Sequence, residues 1–293
     1  MQPYLVITDS TSDLTPAQIE QLGVAVLPME FLIGDQTYRN YPDGREMTNE
    51  QFYAAMRQGS MPTTTQITTT QFIDFFTPHL AAGKDLLYIA FSSALSATYE
   101  RSVQAVEELR KQFPDRQIYT VDSRSPSMGE GILVMQALSA LQNGATVQQA
   151  AQLVEQNRSR VRLWFTVNDL IHLKRGGRIS AAAALFGGML GIKPVLAVDE
   201  AGQLIPTDKI RGRKQSLECI IDKMAQSIEE PENQTVYIMH GDALQDAQYT
   251  AELIRQKLPT VKDIQIQFVG PIIGSHTGDG ILCVIYQGAP RAV

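Results

Sequence analysis

The order of apolar and polar residues in the first half of the chain predicts strands that alternate with helices. Residues 86–91 form a short, almost continuously apolar run, which is typical of a strand buried on both faces of a parallel sheet. A helical pattern follows, in which Val103, Val106 and Leu109 lie on one side. Similar pairs of an apolar run and a helix begin near residues 4 and 117. The pattern therefore predicts a parallel α/β sheet.

Short loops rich in hydroxyl groups separate these strands from their helices, at residues 9–13, 92–96 and 122–125. In an open parallel sheet such loops meet along the carboxyl edge, where ligands bind. Helix N-termini with free N–H groups favour anions, and Ser96 is placed as the N-cap of the helix that follows. Capping and turn chemistry would explain one such loop. Three of them together indicate a binding site.

The threonine-rich stretch at residues 62–70 adds further hydroxyl groups. Thr68 and Gln71 have the spacing of a capping box, so some of these threonines begin a helix. Thr15 and Gln18 have the same spacing and predict the start of an earlier helix. The remaining threonines are available to a ligand.

A second α/β unit is predicted from residue 161 onward. A strand at 161–167, a hairpin at 195–206, a βαβ unit at 236–268 and a final strand at 281–286 supply its sheet. A chain of 293 residues is long for a single core. We therefore expect two domains, at residues 1–160 and 161–293.

The segment after residue 173 combines glycine with positive charge. Gly176 and Gly177 are flanked by Lys174, Arg175 and Arg178. Glycine allows the backbone to approach a ligand closely, and arginine offers paired donors to a carboxylate or phosphate. The alternative is a glycine turn that ends a helix and carries surface cations.

Two further polar segments are candidates for function. Arg211, Arg213 and Lys214 precede a predicted helix; most such charge runs are simply solvated, but this one is also a candidate docking patch. Residues 270–280 are interpreted as a glycine-rich loop with His276 at its centre. A lone histidine is usually structural, but between small residues it has no apolar face to fill, which favours a functional role.

Charge and cysteine content exclude several classes of protein. The formal net charge of −6 argues against a protein held to nucleic acid by phosphate contacts. Cys219 and Cys283 lack CxxC spacing and a histidine at ligand spacing, so neither a zinc site nor a disulfide framework is expected. The chain enters a strand at once, without signal-peptide features, and no window is long and apolar enough to span a bilayer. We therefore expect a cytoplasmic protein.

Common enzyme motifs are absent from the sequence. It contains no GxSxG, GxxxxGK[ST] or HExxH motif, and no GxGxxG after the first strand. No general-base carboxylate accompanies an identifiable nucleophile. We expect no cofactor and no catalysis by the chain alone.

Several short motifs, taken together, resemble the DegV family in order and spacing. They are TDSTSDL at residues 8–14, TTQ at 64–66, SSALSATY at 92–99, VDS at 121–123, GGRI at 176–179, and residues 270–278. The resemblance implies a bacterial fatty acid-binding protein with two α/β domains, an N-terminal parallel-sheet domain and a C-terminal mixed-sheet domain, with the ligand between them. It also implies that some members present a long-chain fatty acid to a separate ATP-binding fatty acid kinase subunit, which makes acyl phosphate.

The resemblance also implies which groups bind the carboxylate. Hydroxyl, guanidinium and imidazole groups are expected there, namely Thr64, Thr65, Ser92, Ser93, Arg175, Arg178, His276 and Thr277. Which threonine of the first pair and which arginine makes the contact stays open. The sequence departs from the family at Ile67 and Ala97, where the family usually has proline and glycine. Hydroxyl groups survive in both motifs, but the backbone geometry there is not specified.

The acyl tail requires a long apolar slot. Burying about fourteen methylenes at about 0.8 kcal/mol each gives roughly 11 kcal/mol, against about 4 to 15 kcal/mol lost on association, so the tail must dominate affinity. A small apolar helix predicted at residues 181–190 suits such a slot, although ordinary core packing explains any single residue. Candidate wall residues are Phe165, Ile179, Leu185, Phe186, Met189 and Ile192.

Two alternatives differ in class from this carrier. One is a stand-alone hydrolase or phosphotransferase that uses Ser93 or His276 on a small acyl or phosphoryl substrate. The other is a lipid-sensing regulatory module that docks a partner through Arg211, Arg213 and Lys214. For the carrier we expect no nucleic acid partner and at most transient contact with a membrane.

Overall fold

The computed structural model describes residues 4–180 and 191–291 of the chain. The apolar helix predicted at 181–190, with the wall candidates Leu185, Phe186 and Met189, lies outside these residues. Within them, no helix combines the length and the apolar character that crossing a membrane requires.

A four-stranded, entirely parallel sheet forms the first domain, in the order β2-β1-β6-β7. Every residue of its central strand β6 is buried, as the apolar run predicts. The hydroxyl-rich loops follow β1, β6 and β7 at one edge of this sheet. The strands are β1 (Tyr4–Asp9), β2 (Ala25–Leu27), β6 (Asp85–Ala90) and β7 (Ile118–Asp122).

A small antiparallel sheet beside it uses part of the threonine-rich stretch. Its strands are β3 (Glu30–Ile33), β4 (Gln36–Arg39) and β5 (Thr63–Thr65), in the order β4-β3-β5. Gly34, at a φ of +58°, makes the hairpin turn between β3 and β4. Pairing of Thr64 with Phe31 fixes the position of β5.

Six helices accompany these strands, and four of them begin with a capping box. Thr15 with Gln18 and Thr68 with Gln71 form the two predicted boxes, and both predictions are confirmed. The prediction of Ser96 as an N-cap is wrong, because the helix begins at Thr98 and no side chain caps it. The helices are α1 (Pro16–Leu22), α2 (Asn49–Arg57), α3 (Thr69–Ala81), α4 (Thr98–Gln112), α5 (Met128–Gln142) and α6 (Val147–Asn157).

A six-stranded mixed sheet forms the second domain, in the order β10-β9-β8-β13-β11-β12. Only β11 and β12 are parallel neighbours. The strands are β8 (Val161–Thr166), β9 (Ile192–Val198), β10 (Leu204–Arg211), β11 (Thr235–His240), β12 (Asp263–Phe268) and β13 (Leu282–Gln287). The accompanying helices are α7 (Ile171–Arg175), α8 (Arg213–Ala225), α9 (Leu244–Lys257) and α10 (Pro271–Thr277).

The interpretation of residues 270–280 as a loop is wrong, since α10 occupies most of that segment. Pro271 stands at the first helical position, where its missing N–H has no cost. Ser275 and Thr277 donate their hydroxyls to carbonyls four residues back. A side chain at Gly274 would lie 2.7 Å from the Tyr53 hydroxyl oxygen, so glycine permits close packing on α2. Close packing thus favours a helix that composition alone does not predict.

The two domains share one continuous core. Leu87 and Ile89 of the parallel sheet belong to the same buried cluster as Leu163 and Phe165 of the mixed sheet. Helix α5 contributes to this cluster, and its residues 128–134 are all buried. The side chains of this cluster therefore fill most of the space between the domains, and the space that remains forms a cavity.

Candidate binding site

A cavity of about 320 Å³ lies where the two domains meet. The first domain lines it with β5, the loop after β6 and the loop before α5, and the second domain with β8, β10 and α10. Its apolar wall consists of Met29, Phe91, Leu95, Ala97, Pro126, Leu163, Phe165, Leu173, Leu204, Val269, Ile272, Ile273, Ile281 and Cys283. Its polar wall consists of Thr64, Thr65, Gln66, Ser96, Ser127, Arg178, His276 and Thr277.

A hydrogen bond between the domains marks the polar part of this cavity. The Thr64 hydroxyl oxygen lies 2.8 Å from Nε2 of His276, and either group can donate, depending on the imidazole tautomer. Burial, followed by the charges of Arg178 and Arg175, lowers the pKa of His276 to about 4. The imidazole is therefore neutral at neutral pH, and it can donate a hydrogen bond to an anion without adding a charge.

Arg178 is the one cation on the cavity wall among the residues described. Its Nε donates to the Leu95 carbonyl at 3.0 Å, and Nη1 donates to the Gly176 carbonyl. Burial lowers the pKa of Arg178, but a guanidinium stays protonated at neutral pH. These bonds hold a partly buried positive charge near His276, whose pKa it helps to lower.

Arg175, the other arginine predicted, does not line the cavity. Its Nη2 donates to the Pro62 carbonyl at 2.7 Å and to the Ser275 carbonyl at 3.3 Å. It thereby connects α7 with the segment before β5 and with α10. Thr64, Thr65 and Thr277 all lie on the wall, as does Arg178.

The two serines predicted to bind the carboxylate lie away from the cavity. Ser92 is fully buried and donates to the Gly202 carbonyl at 2.9 Å. Ser93 donates to Asp122 Oδ2 at 2.7 Å and lines a separate surface pocket. The structure therefore does not bring either serine together with His276 and Arg178.

Ser96 and Gln66 are polar wall residues that the sequence analysis did not select. Ser96 was interpreted as a cap, but its hydroxyl bonds to the Thr98 hydroxyl at 2.9 Å, within the turn before α4. Ser96 also directly precedes Ala97, which stands where the family usually has glycine. Gln66 directly follows the threonine pair, and its place in the TTQ motif is the signal that the sequence offers for it.

Phe165 is the one tail-wall candidate on the described cavity wall. Ile179 is buried in the shared core without lining the cavity, and Ile192 is partly exposed at the start of β9. An apolar pattern predicts burial but not which buried side chain faces an empty space. The wall is instead built from leucines, isoleucines and valines scattered over many elements.

The docking candidates occupy three different environments. Arg211 is exposed at the end of β10. Arg213 donates to Asp246 Oδ2 at 2.8 Å and to the Gly280 carbonyl at 2.6 Å, so it stabilises the second domain itself. The Lys214 ammonium lies 5.4 Å from the centre of the Tyr249 ring. Of the three, Arg211 is the most available to a partner.

This architecture defines a two-domain α/β protein with an apolar interdomain cavity and one polar region. The model of the DegV family matches residues 4–288, and the chain belongs to that family. A DegV domain-containing protein of Clostridium perfringens is 41% identical over 288 residues, which cover 98% of each chain. One from Streptococcus pyogenes is 33% identical, covering 97% of this chain and 98% of its own.

Solved structures agree with this assignment. A Thermus thermophilus DegV family protein, described as binding fatty acid, superposes with a TM-score of 0.86 at 28% identity, covering 98% of this chain and all of its own. DegV of Bacillus subtilis, described as a fatty acid-binding protein, gives 0.84 at 26% identity over 99% of this chain and 100% of that one. The predicted fold, two α/β domains with a parallel and a mixed sheet, is confirmed.

Proposed function

We propose that this protein binds a long-chain fatty acid in the interdomain cavity. The observation that carries the proposal is a mostly apolar cavity with a neutral histidine, a threonine and one guanidinium gathered in one region. The tail would lie along the apolar wall, and the carboxylate would accept hydrogen bonds from Arg178 and from the Thr64 hydroxyl, which in turn accepts from Nε2 of His276. The fatty acid binding described for structural relatives supports the same ligand class.

The chemistry of the polar region matches a carboxylate. A buried carboxylate is stable only if charge-assisted or multiple hydrogen bonds replace its hydration. Arg178 supplies the positive charge, and the Thr64 hydroxyl, held in place by the neutral imidazole of His276, supplies a further donor. The tail contributes about 0.8 kcal/mol for each methylene buried, and so determines most of the affinity.

We further infer that the protein is a carrier that presents the carboxylate to a separate ATP-binding kinase subunit. No carboxylate lines the cavity in the part of the chain that the structure describes, so none is placed there to orient the imidazole of His276 as a general base. Ser93 and His276, the nucleophiles considered for a hydrolase, belong to different spaces. This geometry favours the carrier over a stand-alone enzyme.

The first test compares Arg178→Met with Arg175→Met in protein freed of lipid. Mass spectrometry of the purified protein should show a copurified long-chain fatty acid. Arg178→Met should weaken binding of the acid by about 1.5 to 3 kcal/mol, the value of a hydrogen bond to a charged group, and leave binding of the corresponding alcohol unchanged. Arg175→Met should preserve the preference for the acid. If no fatty acid copurifies with the protein and none binds when it is added to the protein, the proposal is refuted.

The second test addresses the kinase partner. The protein with fatty acid and ATP should form no acyl phosphate until an ATP-binding fatty acid kinase is added. Charge reversal at exposed Arg211 (Arg211→Glu) should reduce that product without changing lipid affinity, because a surface cation acts mainly on association. Exposed Lys262→Glu, on another part of the surface, is the control. Acyl phosphate formed without the kinase would contradict the carrier role.

A further inference from the structure

A buried arginine near the end of the described chain joins the two domains. Arg291 is only 5% exposed, and its guanidinium donates four hydrogen bonds. Nε donates to the Val161 carbonyl at 2.8 Å, and Nη1 to the carbonyls of Arg124 at 2.7 Å and Asp199 at 3.0 Å. Nη2 donates to the Ser125 hydroxyl at 2.5 Å. All four acceptors are neutral, so this cation serves to hold backbone segments together.

These segments lie behind the apolar end of the cavity. Phe165 and Leu163 both line the cavity from β8, and Val161 begins that strand, so the cavity runs along β8 towards Arg291. The same end is lined by Leu204 of β10 and by Pro126, which directly follows Ser125. Helix α7 follows the other end of β8, and His276 contacts Gly176, which ends α7. A tail bound with its carboxylate at His276 would therefore point towards Arg291.

The turn between β9 and β10, residues 199–202, crosses from the second domain to the first at this place. The Ser92 hydroxyl donates to the Gly202 carbonyl at 2.9 Å, and Arg124 Nη1 donates to the Glu200 carbonyl at 3.2 Å. Gly202 has a φ of +86°, and a side chain there would lie 2.3 Å from the Ser92 hydroxyl oxygen. The turn is thus seated tightly on the first domain. We call Ser92, Arg124, residues 199–202 and Arg291 the clasp.

A second space lies on the other side of the clasp. A surface pocket of about 340 Å³ is lined by Ser93, Asp122, Arg124 and residues 199–201. None of these residues lines the interdomain cavity. The clasp therefore lies between the surface pocket and the part of the cavity wall formed by Leu163, Leu204 and Pro126.

We propose that Arg291 is a specificity-determining residue that sets the longest acyl chain the cavity accepts. The inference rests on the proposed fatty acid binding and goes beyond it. Each further methylene at the tail end must displace a wall that the four hydrogen bonds of Arg291 hold in place. Arg291 does not touch the cavity, so it is a positioning residue that acts through Pro126 and Leu204.

The test measures a profile of chain lengths. Lipid-free protein is titrated with saturated fatty acids of twelve to twenty-four carbons, and the shortest chain that the wild type excludes is identified. Arg291→Met retains the apolar volume but removes the donors, and should raise affinity for that chain by about tenfold or more, the scale of one misfit methylene. Shorter chains should bind as before, a pattern that general destabilisation would not give.

Two further variants keep the test decisive. Ser92→Ala removes one clasp hydrogen bond. It should raise affinity for the same excluded chain by about threefold, since one neutral hydrogen bond is lost. Arg110→Met is the control, because Arg110 also donates to a backbone carbonyl, that of Ile118, but at the opposite end of β7 from Arg124. Its length profile should match the wild type.

An unchanged length limit in folded Arg291→Met overturns the inference. If Arg291→Met does not fold, Ser92→Ala decides, and an unchanged limit there overturns the inference as well. A wild type that binds no fatty acid of any length instead refutes the proposed function itself. The two failures are therefore distinguishable in one experiment.

Discussion

At the scale of single residues, the hydrogen bond between Thr64 and His276 depends on a glycine in another helix. A side chain at Gly176 would lie 2.3 Å from Nδ1 of His276, on the opposite side of the ring from Thr64. Gly176 ends α7 with a helical φ of −72°, so its backbone would accept alanine without strain. The sequence allows two roles for this glycine, close approach of a ligand or a turn that ends a helix; Gly176 does end α7, and the group that approaches it is the imidazole.

Replacing Gly176 by alanine should therefore weaken fatty acid binding more than it lowers the stability of the fold. The new methyl group would overlap Nδ1 of His276 and force the imidazole out of its present position, and disruption of its hydrogen bond to Thr64 should reduce fatty acid affinity by about 1 kcal/mol, or roughly fivefold. Fatty acid titration and thermal unfolding of the same samples measure both effects.

The neighbouring Gly177 provides a matched control. It has a φ of +70° and nothing within 4 Å of a side chain placed there, so Gly177→Ala should lower stability by about 1 kcal/mol through backbone strain. Its fatty acid affinity should be unchanged. Equal affinities for the two alanine variants would show that the position of His276 does not matter for binding.

At the scale of elements, periodicity and capping signals predict most of the fold. Strand β6 follows from a continuous apolar run, and α3 follows from the capping box of Thr68 and Gln71, because both signals are local. Helix α10 is not predictable in this way. Its short sequence contains Gly274 and lies between Gly270 and Gly278, and it is stabilised by packing against α2, a contact between distant parts of the chain.

Local sequence signals are likewise insufficient to predict the arrangement of the candidate binding site. Strand ends rich in hydroxyls predict a binding site at the edge of the sheet, and Ser96, from the loop after β6, lines the cavity together with Thr64, Arg178 and His276. Within one loop, however, Ser92, Ser93 and Ser96 point into three different environments. Which of them faces the cavity depends on where α4 begins and on the turn at 199–202 from the other domain. The sequence around these serines does not specify either feature.

At the scale of the whole molecule, buried carboxyl groups connect the parallel sheet, α5 and the second domain. Asp13 accepts hydrogen bonds from Ser127 at 2.5 Å and from the Gly270 N–H at 3.0 Å, and so joins both domains. Burial raises its pKa to about 7. Glu130 of α5 is fully buried, and burial, followed by the charge of Asp9, raises its pKa well above the ordinary value.

Hydrogen-bond geometry independently favours a protonated Glu130. The Thr8 hydroxyl oxygen lies 3.0 Å from the Ile89 carbonyl oxygen and also contacts Glu130 Oε1, but it has only one hydrogen to donate. Both contacts are hydrogen bonds only if Glu130 carries a proton. A neutral carboxylic acid in the shared core therefore makes the stability of the molecule depend on pH.

Because the folded pKa of Glu130 is raised, the folded state holds this proton at pH values where the unfolded chain has released it. Stability from this group is complete below the unfolded pKa of about 4.5 and decreases as pH rises towards the folded pKa, by up to about 1.4 kcal/mol per pH unit. Glu130→Gln cannot ionise and retains a donor for Thr8. Its stability relative to the wild type should therefore increase between about pH 5 and about pH 8 in urea unfolding. Glu107→Gln, at an exposed position of α4, should show no such trend. Parallel pH profiles for the wild type and Glu130→Gln would mean that the carboxyl group is already ionised in the folded core.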